Sequence, residues 1–318
     1  MYHFIVNPNS RSGRGKKYWK KIQPLLDAQG IAYDVRFSER MGHISELVAE
    51  VVGEYEDKGE DPHLVVLGGD GTMNEALQEV RDFDRVIFSY IPTGSSNDLA
   101  RALGISRDPG EALAKILTGK EERRMDVGVV QYRNAWYYGK EIQVPERRFL
   151  SSCGIGFDAA VCAETFRSTV KDYFNRCGLG KLTYLGIALK QLIRLKFADG
   201  EIVIDGEKRK KLKKIVFISS MVHKYAGGGF QFCPDAKDDD GLLDICVASD
   251  ASKLRILRIL PTAFSGNHIK FREVQQLRVR EITIRTKAPM WVQTDGEVKA
   301  ETSEIRVFTH HQQVRFVY

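Results

Sequence analysis

Three short segments gather glycine, hydroxyl and carboxylate groups in an order that suits phosphate chemistry. Gly68-Gly69-Asp70-Gly71-Thr72-Met73-Asn74-Glu75 follows the apolar run HLVVL and precedes a helical pattern. Glycines at a helix start let backbone N–H groups approach phosphate oxygens, and the helix dipole adds attraction. Asp70 offers the hard oxygen ligands that suit Mg²⁺ near a transferring group. The same residues also read as a glycine-rich turn with Asp70 or Thr72 as a helix cap. One strand later, Ile91-Pro92-Thr93-Gly94-Ser95-Ser96-Asn97-Asp98 repeats the arrangement ahead of LARALGI. Two such loops at neighbouring strand ends point to a polyphosphate pocket more strongly than either alone; the bland alternative is two separately capped helices. A third loop, Asn7-Pro8-Asn9-Ser10-Arg11-Ser12-Gly13-Arg14-Gly15, brings amides, a hydroxyl and two arginines to the same edge.

Loops of this kind need strands that end together and helices that begin there. YHFIVN (2–7), IAYDVRF (31–37), HLVVLGG (63–69) and RVIFSYIP (85–92) read as short buried strands, and stretches near 16–28, 44–58, 73–80 and 98–118 have helical spacing. Such a β-α-β-α series makes an open parallel sheet covered by helices, with ligands beyond the strand C-terminal ends. After MDVGVV (125–130) the texture changes to strands bounded by turns, among them RRFLSSCGIG, KKIVFISSM, GLLDICVAS, REITIRT and MWVQTDG. That run argues for a largely antiparallel sandwich, with helical inserts near 157–196 and 252–264. At 318 residues the chain is about twice the usual single-domain length. The expected division is an α/β domain over 1–127 and a larger, mainly antiparallel β-sandwich over 128–318, α+β overall. The last segment, about 303–318, is expected to pack back on the first domain.

Composition removes several classes. Apolar residues make up 43% and charged residues 28%, too apolar for a chain that stays disordered. No window reaches the roughly eighteen apolar residues of a spanning helix, and MYHFIVNPNS turns polar too early for a signal-peptide core, so a cytoplasmic protein is expected. Cys153, Cys162, Cys177, Cys233 and Cys246 are odd in number, contain no CxxC pair and sit mostly in apolar context, which favours buried thiols over a metal site.

Taken together, the motifs resemble those of the diacylglycerol kinase catalytic-domain family, in particular its soluble bacterial lipid kinases, in a superfamily with sphingosine, ceramide and NAD kinases. NPNSRSG (7–13), GGDGTMNE (68–75), IPTGSSNDLAR (91–101), MDVG (125–128), GIGFDA (154–159), YAGGGFQFCPDAKDDDGLLD (225–244) and TDGE (294–297) run in family order across nearly the whole chain. GGDG alone is shared with phosphofructokinases and NAD kinases, whose nucleotide-binding domain the first half is expected to resemble; the joined set is far more specific. The resemblance implies ATP as co-substrate, Mg²⁺, and a nucleotide held by Asn7, Pro8, Asn9, Ser10, Arg11, Ser38, Gly69, Gly71, Thr72, Asn74, Glu75 and Ser95. The loop reading adds Gly68, Thr93, Gly94, Asn97 and Asp98. It further implies that Asp70 and Asp126 belong to an acidic magnesium and water network. Lys237 and Leu242, through their carbonyls, and Asp240 would hold a structural magnesium, and Glu297 would be the proton acceptor. A carboxylate within reach of an acceptor hydroxyl suits that last role, although TDGE also reads as an ordinary hairpin turn. GSSND stands where many relatives have GTxND, Met73 where leucine is commoner, and Arg11 where small or hydroxylic residues are frequent; none removes a group the chemistry requires.

The implied function is transfer of the γ-phosphoryl group of ATP to a lipid primary hydroxyl, diacylglycerol first. A sphingoid base, phosphatidylglycerol or a soluble acceptor is the second reading, and a nucleotide- or lipid-binding regulator without turnover the third. The chain carries 48 Lys and Arg against 42 Asp and Glu, an excess of +6. Residues 167–196 alone hold seven Lys or Arg against the single acid Asp172, with Leu182, Leu185, Leu189, Leu192 and Ile193 at helical spacing. A basic amphipathic helix resting on an anionic membrane surface fits that pattern, and so does a helix packed on the sandwich. Lys208–Lys214 (KRKKLKK) reads as a further basic turn for the same face. The expected partner is therefore a lipid substrate at an anionic membrane, with peripheral association and no nucleic acid, since the basic run is short. A homodimer through an exposed sheet edge stays open.

Overall fold

Short runs of apolar and β-branched residues alternate with amphipathic stretches to form β1 (Tyr2–Val6), α1 (Ser10–Ala28), β2 (Tyr33–Phe37), α2 (His43–Tyr55), β3 (His63–Gly68), α3 (Asp70–Leu77), β4 (Ile87–Pro92), α4 (Asp98–Leu103) and α5 (Pro109–Thr118). The structure is a computed structural model and describes residues 1–56, 58–119, 122–167 and 180–318, with the backbone alone for 166–167, 180–185 and 312. The chain forms two units, Met1–Asp126 with His311–Tyr318, and Val127–His310.

In the first unit β2, β1, β3 and β4 lie side by side in that order, all parallel. Arg315 and Phe316 add a parallel pairing beyond β4. Runs such as Phe4–Val6 and Leu64–Leu67 are fully buried, as expected of a parallel sheet covered on both faces. The helices cover it with apolar stripes, as in α2, where Ile44, Leu47, Val48, Val51 and Tyr55 recur at helical spacing and are buried. The helical stretch expected over 98–118 is two helices. Gly104 ends α4 in the left-handed conformation, and Asp108 caps α5, its Oδ1 accepting the N–H of Gly110 at 2.9 Å and of Glu111 at 3.1 Å.

β5 (Arg123–Tyr137) begins in the first unit and runs on into the second, which continues through β6 (Lys140–Ile142), β7 (Arg147–Phe149), β8 (Ser152–Gly156), α6 (Phe157–Arg167), α7 (Gly180–Arg194), β9 (Ala198–Ile204) and β10 (Lys208–Met221). There follow β11 (Leu243–Ser249), α8 (Lys253–Ile259), two 3₁₀ turns (Leu260–Ser265 and Asn267–Lys270), β12 (Val274–Val279), β13 (Glu281–Thr294) and β14 (Glu297–Phe316). The pairings of β8 to β13 are antiparallel. Alternation divides their side chains between two apolar layers: Ile218, Ile245 and Val247 enter one, while Phe217, Cys246 and Ala248 enter the other with Ile256 and Ile259 of α8.

KRKKLKK, expected as a turn, is the first half of β10 in register with β9. It continues the strand that carries the apolar run IVFISSM, and only Leu212 of its seven residues is buried. Of the basic segment 167–196, residues 168–179, among them Lys171, Asp172, Arg176 and Cys177, lie outside the described residues, as do the side chains of Arg167, Lys181, Leu182 and Leu185. Within it Leu192 is buried, while Leu189 and Ile193 are exposed. Among the described residues no helix is long and apolar enough to cross a membrane.

Candidate functional site

Strand order decides where the loops of the first unit meet. From β1 the chain moves to β2 on one side and then to β3 on the other, so the topological switch point lies between β1 and β3, where ligands of open parallel sheets bind. The loops leaving those two strands are joined there: the side-chain amide of Asn7 donates to the Thr72 hydroxyl at 3.1 Å. The next strand is drawn in by Ser10 and Thr93, whose hydroxyl oxygens are 2.5 Å apart, and by the Thr93 N–H donating to the Gly68 carbonyl at 2.6 Å. Behind Asn7 the backbone turns through Arg11, Ser12 and Gly13 at φ of 44, 58 and 89°. Two successive non-glycine residues in the left-handed region mark a loop held in place by its surroundings.

The loops after β3 and β4 touch backbone to backbone. A Cβ on Gly69 would fall 3.2 Å from Cα of Gly94, and one on Gly94 would fall 2.7 Å from Cα of Gly69. At Gly94 no other residue fits without displacing that backbone, and at Gly69 a side chain would be tight. Asp70 locks the contact, its carboxylate accepting the N–H of Asp98 at 3.0 Å and of Leu99 at 3.3 Å and so capping α4. Asn97, in the left-handed conformation at φ 51°, donates from its side-chain amide to the Gly94 carbonyl at 3.1 Å. Of the two sequence readings, the capping one is seen in altered form: Asp70 caps α4, the helix after the second loop, rather than the helix it opens.

The remaining expected nucleotide residues occupy varied positions. Pro8 and Asn9 lie in the turn before α1, where the Asn9 N–H donates to Oδ1 of Asn7 at 3.1 Å, and Gly71 sits in the first turn of α3. Ser38, buried, follows β2 and donates its N–H to the Val6 carbonyl at 2.9 Å. Asn74 is buried, and Ser95 faces solvent. Glu75 reaches α2, where Oε1 accepts the N–H of Ile44 at 2.9 Å. Asp126 is fully buried, and its Oδ1 lies 2.9 Å from Nδ1 of His311 in the returning C-terminal segment. Nothing in the local sequence marks His311 as the partner of an acid so far away. Asp70 and Asp126 are carboxylates, the hard oxygen donors that suit Mg²⁺.

In the second unit Glu297 opens β14 directly opposite Thr294, across a two-residue turn of Asp295 and Gly296 at φ of 49 and 88°. Positive φ at both positions is the type I′ hairpin signature, and Asp-Gly is its favoured sequence. Asp295 anchors the turn by accepting three backbone N–H groups, from Leu150 at 2.9 Å, Ser151 at 2.8 Å and Ser152 at 2.9 Å. Glu297 itself is half-exposed. One acid nearby went unmarked by sequence reasoning. Asp158, in the first turn of α6, lies 3.4 Å from the side-chain amide of Gln293 on β13. Burial pushes its carboxyl up to about 6, against the opposing effect of N–H donors from Ala159 and Gln293. The GIGFDA turn was the available signal: a Cβ on Gly154 would fall 1.8 Å from the Asp158 carboxylate.

Among the described residues no three His, Cys, Asp or Glu side chains converge as a metal set. The structural ion implied by the resemblance would therefore rest on Asp240 and the carbonyls of Lys237 and Leu242. The surroundings fit a cation. Asp240 pairs with Arg278 and caps the Leu242 N–H at 3.1 Å, and Asp244 beside it is buried with one oxygen unpaired among the described residues. Burial, then the charges of Asp240 and Asp235, push Asp244 up to about 6 against the pull of Arg278.

Comparison with known proteins bears on the family and the fold. Residues 1–130 match the model of the diacylglycerol kinase catalytic domain, and residues 151–311 match that of the YegS C-terminal NAD kinase beta sandwich-like domain. The chain is similar to a diacylglycerol kinase of Mycobacterium tuberculosis, 31% identical over 76% of this chain and 71% of that one. It is also similar to one of Bacillus subtilis, 26% identical over 92% and 88%. A crystal structure of a diacylglycerol kinase from Bacillus anthracis covers 100% of this chain and 96% of its own at a TM-score of 0.66, and with 21% identity it speaks for the fold. With one model spanning the loops of the first unit and the other the hairpin of the second, the chain belongs to the diacylglycerol kinase catalytic-domain family of lipid kinases.

Proposed function

We propose that this protein transfers the γ-phosphoryl group of ATP to the primary hydroxyl of diacylglycerol, giving phosphatidic acid. The observation that carries the reading is the junction of two glycine-rich loops at adjacent parallel strand ends, Gly69 against Gly94 with Asp70 capping α4, inside the segment that matches the kinase catalytic domain. The names of the M. tuberculosis and B. subtilis relatives support the acceptor.

Phosphoryl transfer asks for positioning and charge neutralisation more than for covalent help. Backbone amides of residues 70–72 and 94–97 orient the nucleotide phosphates, and the N-terminus of α3 attracts them. Mg²⁺, when bound, would neutralise charge on those oxygens, and Asp70 and Asp126 are the residues that would hold it. Glu297 takes the acceptor proton as the lipid oxygen bonds to the γ-phosphorus and the bridging oxygen departs with ADP. The Asp295 anchor keeps that carboxylate in place. Lys237 and Leu242, through their carbonyls, and Asp240 would hold a second, structural ion.

The test is phosphorylated product from purified protein, ATP and Mg²⁺ with mixed micelles of diacylglycerol, monoacylglycerol, sphingosine, ceramide or phosphatidylglycerol. Phosphatidic acid is the expected product. Turnover confined to another alcohol would overturn the acceptor alone, whereas no product from any lipid, with ATP still bound in calorimetry, would overturn the kinase reading.

A further inference from the structure

A helix on a folded protein buries one face and shows water the other, yet α8 and the 3₁₀ turn after it are apolar on both. Ile256, Ile259 and Ala263 point inward and are buried among Val216, Phe217 and Phe232. On the opposite side Leu254, Leu257, Pro261 and Phe264 form an outward stripe, with Leu254 77% and Phe264 53% exposed. Ile269 of the second 3₁₀ turn is also exposed, and so is Ile193 at the end of α7, brought alongside when the Lys253 ammonium donates to its carbonyl at 2.5 Å. The stripe is rigidly mounted: Phe264 stacks on Phe230 with ring centroids 4.0 Å apart, and Gln231 holds the turn through the carbonyls of Ala263 and Phe264.

Charge identifies the occupant. Lys253, Arg255, Arg258, Lys270 and Arg272 fall between Ala251 and Arg272, and that stretch contains no acid. Glu273, just beyond it, is buried and paired with Arg255 and Arg272. Arg258 and Lys270, both exposed, make no ion pair among the described residues. Exposed aliphatic and aromatic groups interleaved with unpaired cations match a bilayer with anionic headgroups, where side chains enter the acyl boundary and cations stay at the phosphates. A second copy of this chain is a poor fit, because a two-fold contact would set the cations against themselves.

We propose that α8 and the two 3₁₀ turns, residues 253–270, dock this protein on an anionic membrane surface. The proposal deepens the lipid-kinase reading and rests on it for the need of a surface. It differs from the basic stretch 167–196 in its residues, meeting that stretch only at Ile193.

The experiment is co-sedimentation with vesicles of phosphatidylcholine, with and without about one third phosphatidylglycerol, containing no diacylglycerol and no ATP. Full-length protein is compared with the exposed-site variants Leu254→Ser/Leu257→Ser and Arg258→Glu/Lys270→Glu. Wild type is expected to bind anionic vesicles at least tenfold more tightly than neutral ones. Either double variant is expected to lose at least tenfold, with an unchanged melting temperature and unchanged phosphorylation of a short-chain acceptor in detergent. Wild-type binding retained by both variants would overturn the assignment, and so would wild type failing to bind, or binding neutral vesicles equally well. If the variants instead convert a dimer to a monomer by light scattering, a second copy is the occupant and the membrane proposal is wrong. Because the vesicles lack acceptor and nucleotide, their result is independent of the micelle assay that tests the kinase reading.

Discussion

The Asp70 carboxylate receives the backbone N–H of Asp98 at 3.0 Å, so the acid of one glycine-rich loop caps the helix that follows the other. A group proposed to hold Mg²⁺ is thereby also a structural clamp, and substitutions at this position separate the two roles. Asp70→Ala is expected to lower stability by about 1–2 kcal/mol through loss of the cap and to abolish turnover. Asp70→Asn keeps one of the two accepting oxygens, so it is expected to lose less stability than Asp70→Ala while kcat falls at least a hundredfold. Equal turnover in Asp70→Asn and wild type would leave only the clamp.

The backbone contact between Gly69 and Gly94 has its own signature. In Gly94→Ala the added methyl meets Cα of Gly69 at 2.7 Å and Oδ1 of Asn97 at 2.6 Å. A cost of about 1–3 kcal/mol and weakened ATP binding by calorimetry are expected. Gly53, exposed on α2 with nothing within 4 Å of its added Cβ, is the control. There Gly→Ala is expected to stabilise by about 0.5–1 kcal/mol.

Glu297 and Asp295 share a hairpin but differ in what they touch. Glu297→Gln is expected to lower kcat by about a hundredfold or more, with ATP affinity and melting temperature unchanged. Asp295→Ala strips the acceptor from three N–H groups and is expected to lower the melting temperature first. A Glu297→Gln enzyme with wild-type kcat would remove it as the base.

Asp158 makes stability depend on pH in an unusual direction for an acid. Its carboxyl titrates near 6 when folded against 3.8 as the ordinary value. A group whose folded pKa is raised stabilises the fold below the unfolded value and loses that contribution as pH rises through the folded one. The window is therefore about pH 4 to 6, and on the order of 3 kcal/mol is at stake. Asp158→Asn is expected to be the more stable protein at pH 8, with the difference shrinking towards pH 4 in thermal melts. A constant difference across that range would show that the carboxyl does not titrate there.

Glu75 is expected to act through α2. Glu75→Ala removes the oxygen that accepts the Ile44 N–H and should cost about 1 kcal/mol in chemical denaturation. Glu75→Gln, which keeps that oxygen, is expected to recover most of the loss; no recovery would argue for a charge-dependent role at the nucleotide.

Local pattern carried much of this protein into view. The parallel sheet, the change of texture near residue 128, the glycine loops and the Asp-Gly hairpin are all periodicities or turn chemistries that act over a few residues. Even the break between α4 and α5 was present in Gly104 and Pro109, although amphipathic spacing alone had run the two together. What lay beyond such signals depended on packing. Asn7 reaches Thr72 across 65 residues and Ser10 reaches Thr93 across 83 only because β1 stands between β2 and β3. His311 meets Asp126 across 185, a pairing that depends on the return of the C-terminal strand. Asp158 is an unremarkable acid in the chain until burial removes its water. The outward stripe of α8 is likewise ordinary helical spacing until the fold turns Ile256 inward and leaves Leu254 outside. Sequence periodicity says which residues share a face, but the order of strands and the depth of burial are set by contacts among distant elements, and those contacts choose each group's partner, its charge and its exposure to water.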